Sequence, residues 1–134
     1  QTIEKIKKVA PGYLNLKNPL DVGPSGIFHS ALSAIISEPE VDGYILIPVV
    51  PFGAIERFRA LGVNAKSYLG DWQELKRQIP DKPMVVVLLG YKDWIKDIQK
   101  LCGNNIATVS LPENAVKALS ALYHRAKLKN AKNN

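Results

Sequence analysis

Between Val22 and Phe28 the chain reads Gly23-Pro24-Ser25-Gly26-Ile27, with a strand-like segment before it and an amphipathic helix after it. The first turn of a helix leaves backbone N–H groups without partners and carries partial positive charge. Glycines let an anion approach such amides closely, and a hydroxyl can bond one of its oxygens. Gly23, Ser25 and Gly26 are therefore the candidate contacts for a phosphoryl group or another anion. The competing reading is an ordinary strand-to-helix turn in which Ser25 serves as N-cap. The loop is neither a P-loop nor a dinucleotide fingerprint, because it lacks the Lys-Ser/Thr pair of the first and the glycine spacing of the second. Asn18, Pro19 and Asp21 belong to the short strand expected to support it. Asp21 alternates with Leu20 and Val22, either as a strand-end residue bonded to nearby backbone or as part of the site.

Other reactive side chains are sparse. His29 stands three residues beyond Gly26, outside the apolar face of its helix, and His124 lies late in the last helix beside Arg125. Neither has a Cys or carboxylate at metal-ligand spacing, so no metal site is expected. No Gly-x-Ser-x-Gly elbow occurs. Cys102 is the single cysteine; it falls on an apolar helix face and reads as a buried structural thiol in a reducing compartment. Asp93 suits the first turn of a helix, where negative charge is favoured. No catalytic residue is assigned to this chain.

The 134 residues suit one domain with one core, and 46% hydrophobic with 22% charged residues is ordinary globular composition. No apolar run approaches the roughly 20 residues that span a bilayer. The N-terminal Gln1-Thr-Ile-Glu-Lys lacks the apolar core of a signal peptide. It also opens directly into a helical pattern without an initiating Met, which reads as an excised domain or processed fragment. The net charge of +6 gathers near the ends, in Lys5, Lys7 and Lys8 and in Arg125, Lys127, Lys129 and Lys132. With no RNA-binding aromatic motif and no zinc finger, these charges read as solvated helix faces and a basic tail or linker over residues 127–134, not as a nucleic-acid surface. A cytoplasmic location is the expectation.

Two periodicities alternate along the chain. Ile3, Ile6 and Val9 predict a short helix; Asn18–Val22 predicts a strand; Phe28, Ala31, Leu32, Ile35 and Ile36 share a helical face. Tyr44–Val50 reads as a buried strand. Ile55, Phe58 and Leu61 mark a helix closed by Gly62, and Tyr68, Trp72, Leu75 and Ile79 mark a second. Met84–Leu89 is the strongest strand, Trp94 to Cys102 a helix, and Ile106–Val109 a last strand. Ser110 and Glu113 read as a capping box for a final helix whose buried face would be Val116, Leu119, Leu122 and Tyr123. Buried strands alternating with helices predict an α/β, three-layer sandwich over residues 1–126, with a mainly parallel sheet in the flavodoxin-like arrangement. Ligands in such folds sit at the carboxyl ends of the strands, which selects Val22–Gly26, Val49–Ala54, Gly90–Lys92 and Val109–Leu111.

Several of these segments together resemble the ligase-type CoA domain of the NDP-forming acyl-CoA synthetases, the succinyl-CoA synthetase superfamily. The likeness rests on Thr2-Ile-Glu-Lys-Ile-Lys-Lys, Asn18-Pro-Leu-Asp-Val with its glycine loop, and Pro39-Glu-Val-Asp-Gly43 before an apolar strand. It extends to Ile106-Ala-Thr-Val-Ser-Leu-Pro-Glu-Asn-Ala-Val-Lys-Ala-Leu; Pro51–Lys82 is only loosely alike. The resemblance implies a domain of an enzyme that interconverts acyl-CoA, phosphate and ADP or GDP with acid, CoA and ATP or GTP through a phosphohistidine. It implies CoA-binding and ATP-grasp domains or subunits as partners, with CoA, ATP/ADP and Mg held in the whole enzyme and none by this domain alone. Gly23, Ser25 and Gly26 would steady the phosphoryl group. The family's active histidine belongs to a Gly/Ser-rich loop absent here, so His29 is not its counterpart, and Pro24 stands where relatives carry Gly, Asp or Thr. The isolated chain is expected to be inactive. A stand-alone flavodoxin-like module that binds an anion or a partner without catalysis is the alternative, and a purely structural role between larger domains is a third.

Overall fold

Met84–Val87 (β2) is four apolar residues long and buried along its whole length, so helices must cover it on both faces. The computed structural model describes residues 2–8, 10–12, 14, 16–23, 25–36 and 38–132. Val9, Pro24 and the tail residues 133 and 134, which enter the expectations above, lie outside them. Tyr44–Leu46 (β1) and Ala107–Val109 (β3) flank β2, all parallel, in the order β1-β2-β3. Tyr44 is opposite Met84, and Val85 opposite Ala107. Seven helices are described: α1 (Thr2–Lys7), α2 (Phe28–Ile35), α3 (Phe52–Ala60), α4 (Ala65–Leu69), α5 (Trp72–Gln78), α6 (Lys92–Cys102) and α7 (Pro112–Lys132).

Alternation along β2 divides the core. Met84 and Val86 face the larger cluster, with Leu32 of α2 and Ile36 at its C-cap, Ile55 of α3, Leu69 of α4, Trp72 of α5, and Trp94 and Ile98 of α6. Val85 and Val87 face the opposite way, onto Ala115 and Leu119 of α7. Both indole N–H groups are bonded inside the core, Trp72 to the Leu69 carbonyl at 3.1 Å and Trp94 to that of Pro48 at 3.0 Å. The α/β class with a parallel sheet and helices on both faces is thus present, in a sheet of three strands.

Five local expectations differ from the structure. Residues 18–22 form no strand among the described residues. Pro19 has no N–H for a ladder, and the Asp21 carboxylate accepts the Gly23 N–H at 2.8 Å, which favours a turn over extended pairing. The single helix expected over Tyr68–Ile79 is two, broken at Gly70, whose φ is +90°. Asn64 and Ser67 make a reciprocal capping box for α4, and the Asp71 carboxylate accepts from the Gln73 and Glu74 amides to begin α5; both caps are legible in the sequence. In α7 the Ala115 N–H bonds the Leu111 carbonyl, so Leu111 takes the N-cap position and Ser110 lies one residue too early. Its buried side is Ala115 with half-buried Leu119, whereas Val116, Leu122 and Tyr123 are exposed. The helix then continues to Lys132, through residues expected to be a tail.

Gly70 also receives the His29 ring. A Cβ at that position would lie 1.9 Å from His29 Nδ1, and its φ is one that side chains disfavour. Gly70→Ala should therefore lower stability by about 1–3 kcal/mol in urea denaturation. Adding His29→Ala should recover only the part due to the collision, leaving the backbone strain.

Candidate functional site

The direction of α2 decides where the glycine loop lies. At the helix C-terminal end the Tyr44 hydroxyl reaches the Ile35 and Ile36 carbonyls, at 2.9 and 2.6 Å. That joins the end of α2 to the beginning of β1. At the other end of α2 the His29 ring rests on Gly70, and the Phe28 ring centroid lies 6.1 Å from that of Trp72. Gly23, Val49 and Val50 line one groove. Burial, with a smaller contribution from the Glu38 charge, raises the Tyr44 pKa and keeps the hydroxyl a donor.

The loop is a tight turn. Gly23 and Gly26 have φ of +48° and +76°, values that glycine adopts without steric cost. The Gly23 N–H is taken by Asp21, and both the Ser25 N–H and hydroxyl donate to the Val22 carbonyl, at 3.3 and 2.5 Å. Ser25 is not the N-cap: that position is Ile27, which makes no side-chain cap. The first intrahelical bond runs from the Ala31 N–H to the Ile27 carbonyl at 2.8 Å, so the Phe28, His29 and Ser30 amides have no acceptor within the helix. Asn18, Pro19, Asp21, Gly23 and Gly26 are exposed, and Ser25 is half-buried. The sequence anticipated this loop and its helix. It did not anticipate that Asp21 and Val22 occupy the donors of Gly23 and Ser25.

At the neighbouring strand ends the structure gathers residues that were not singled out. Phe52 and Tyr91 meet edge to face, with ring centroids 4.9 Å apart, and the Arg59 guanidinium lies 5.8 Å from the Tyr91 ring centre. Arg59 also pairs with Asp93 at 3.4 Å. Asp93 thus combines the helix-start role expected of it with an ion pair from α3 to α6. Their segments, 49–54 and 90–92, were selected by the strand-end rule, but the aromatic pair is 39 residues apart in sequence and carries no local signal. His29 is exposed and rests on Gly70; His124 is exposed beside Tyr123. No group of His, Cys, Asp and Glu able to hold a metal ion occurs among the described residues, and no helix among them is long and apolar enough to cross a membrane.

A groove of about 880 Å³ runs beside this mouth, between residues 16–23 and the free edge of β1. Leu16, Leu20 and Val22 line one wall, and Tyr44 to Val50 the other. Comparison of the chain with family models, curated proteins and solved structures gives no match.

Cys102 is buried, and desolvation pushes its pKa from the usual 9.0 up to about 11. The folded state holds the proton more tightly than the unfolded state. The resulting stability is complete below pH about 9 and is lost as pH rises towards about 11. The urea midpoint should therefore fall over that interval more steeply in the natural chain than in Cys102→Ala, when both are measured by tryptophan fluorescence.

Proposed function

We propose that this chain is a flavodoxin-like domain of an NDP-forming acyl-CoA synthetase, cytoplasmic and active only with its CoA-binding and ATP-grasp companions. The observation that carries the reading is the N-terminus of α2, which has no side-chain cap and follows two positive-φ glycines. The sequence resemblance at both ends of the chain adds the identity of the anion. In this reading the companions bind CoA, ADP or GDP and Mg, and they supply the phosphohistidine. This domain supplies a fixed dipole and amides that need no rearrangement when charge arrives.

The bonds within the turn narrow the contribution of each residue. Gly26 and the first-turn amides of α2 face the phosphoryl oxygens. The Gly23 amide stays with Asp21, and Gly23 serves the turn. Ser25 keeps oxygen lone pairs and gains a phosphate contact only by releasing the Val22 carbonyl. The Asp21 carboxylate next to the Gly23 amide favours the second reading, a stand-alone interaction module without catalysis, because it puts negative charge where an anion would come.

The test is acyl-CoA-dependent ATP formation by this chain joined to CoA-binding and ATP-grasp domains in the full-length protein or reconstituted subunits. Gly26→Ala introduces backbone strain alone, and Gly26→Asp adds a negative charge. Phosphohistidine turnover should fall about 10- to 100-fold further in Gly26→Asp than in Gly26→Ala. Equal turnover in the two variants removes the phosphoryl role. No acyl-CoA-dependent ATP formation by the natural assembly removes the enzyme reading and leaves the interaction module.

A further inference from the structure

Helix α7 outlasts the sheet that it covers. It starts just past the carboxyl end of β3, and by Leu119 it has reached the amino end of β1, where a Cβ at Gly43 would lie 3.6 Å from Leu119 Cδ2. Residues 120–132 carry the helix about 20 Å further, and residues 120–129 are all exposed. The stripe that packs on the sheet does not stop with the sheet. Ala115, Leu119, Leu122, Ala126 and Lys129 follow one another at alternating spacings of four and three, which keeps them on one side of the helix. Ala115 is buried and Leu119 half-buried, whereas Leu122 is 48% exposed. A helical stretch this short has little stability of its own in water, so its exposed apolar stripe needs a second surface.

We propose that this surface is the same stretch of a second copy, and that two chains pair their α7 extensions antiparallel about a twofold axis. Shape and charge both select that occupant. With Leu122 of one copy over Ala126 of the other, each large side chain meets a small one, and the symmetry makes the contact twice. The same register lays Lys129 of one copy against Leu119 of the other, at the amino end of β1. Glu40 and Asp42 are exposed at that end, and none of the ion pairs among the described residues uses Glu40, Asp42 or Lys129. The lysine stem covers Leu119 while its ammonium reaches the carboxylates. A parallel pair would instead set the two Lys129 side chains beside each other, like charge against like. A membrane surface fits less well, because Lys129 interrupts the stripe and the exposed Leu128 lies on the opposite side of the helix. The inference concerns the chain's own surface and does not depend on the enzymatic reading.

Sedimentation equilibrium of the 134-residue chain tests it. The contact is at the small end of specific interfaces, so the natural chain should dimerise with a Kd of about 1–100 μM. Leu122→Asp should weaken the dimer at least about tenfold. Lys129→Asp should weaken it about tenfold, because the ion pair is made twice, and adding Asp42→Lys should recover that loss. A natural chain that stays monomeric up to about 1 mM overturns the proposal, and binding of such a monomer to vesicles of anionic phospholipid would give the stripe to a membrane. Unchanged dimerisation in Leu122→Asp overturns it too, as does unchanged or tighter dimerisation in Lys129→Asp. If Leu122→Asp unfolds the chain, the charge exchange decides: loss in Lys129→Asp with recovery in the double variant supports the antiparallel pair, and the lack of either overturns it.

Discussion

The rest of the structure is organised around the double-sided burial of β2. Met84 through Val87 project four apolar side chains alternately to opposite faces, and each side chain is at most 3% exposed. Fully burying a residue of this size contributes about 1.5–3 kcal/mol, as an upper estimate. Covering only one face would forfeit half of that. Helices α2 to α6 answer one face and α7 the other, and the strand-to-helix loops that result converge on the carboxyl ends of the strands. The mouth of the molecule is in this sense a consequence of the Met84–Val87 pattern.

Coverage is uneven. The α7 helix touches the sheet mainly through Ala115 and Leu119, over β2 and β3. On the same face Ile45 of β1 is 36% exposed, and just past the strand Ile47 and Val49 are 44% and 53% exposed. The remaining turns of α7 lie in solvent, with residues 120–129 all exposed and Arg125, Lys127 and Lys129 among them. A parallel sheet ordinarily has both faces covered, so the apolar strip along β1 marks the side on which this fold presents surface to its surroundings.

How much of this was legible depended on the range of the interaction responsible. The stripe of α6 (Trp94, Ile98, Leu101, Cys102), the strand at Met84 and the closure of α3 at Gly62 rest on local periodicity and punctuation, and they fall where the sequence puts them. The break at Gly70 is written in the capping residues Asn64, Ser67 and Asp71, which an apolar stripe running from Tyr68 to Ile79 does not reveal. The exposed side of α7 was not legible. Its spacing marks an amphipathic helix, yet only the position of the sheet decides that Ala115 is inside and Val116 outside. At the glycine loop the sequence indicated a turn into a helix and the two unusual glycines. Which donors are already spent depended on side-chain rotamers of Asp21 and Ser25, for which residue type alone gives no answer.

Strand β1 is held near both ends by groups that belong to other elements. The Tyr44 hydroxyl ties its beginning to the last carbonyls of α2, and the Trp94 indole grips the Pro48 carbonyl just past its end. It is a beam clamped at its two supports, with a span of only a few residues between them. Such a beam transmits displacement poorly. Whatever meets its free edge does so against a fixed rail.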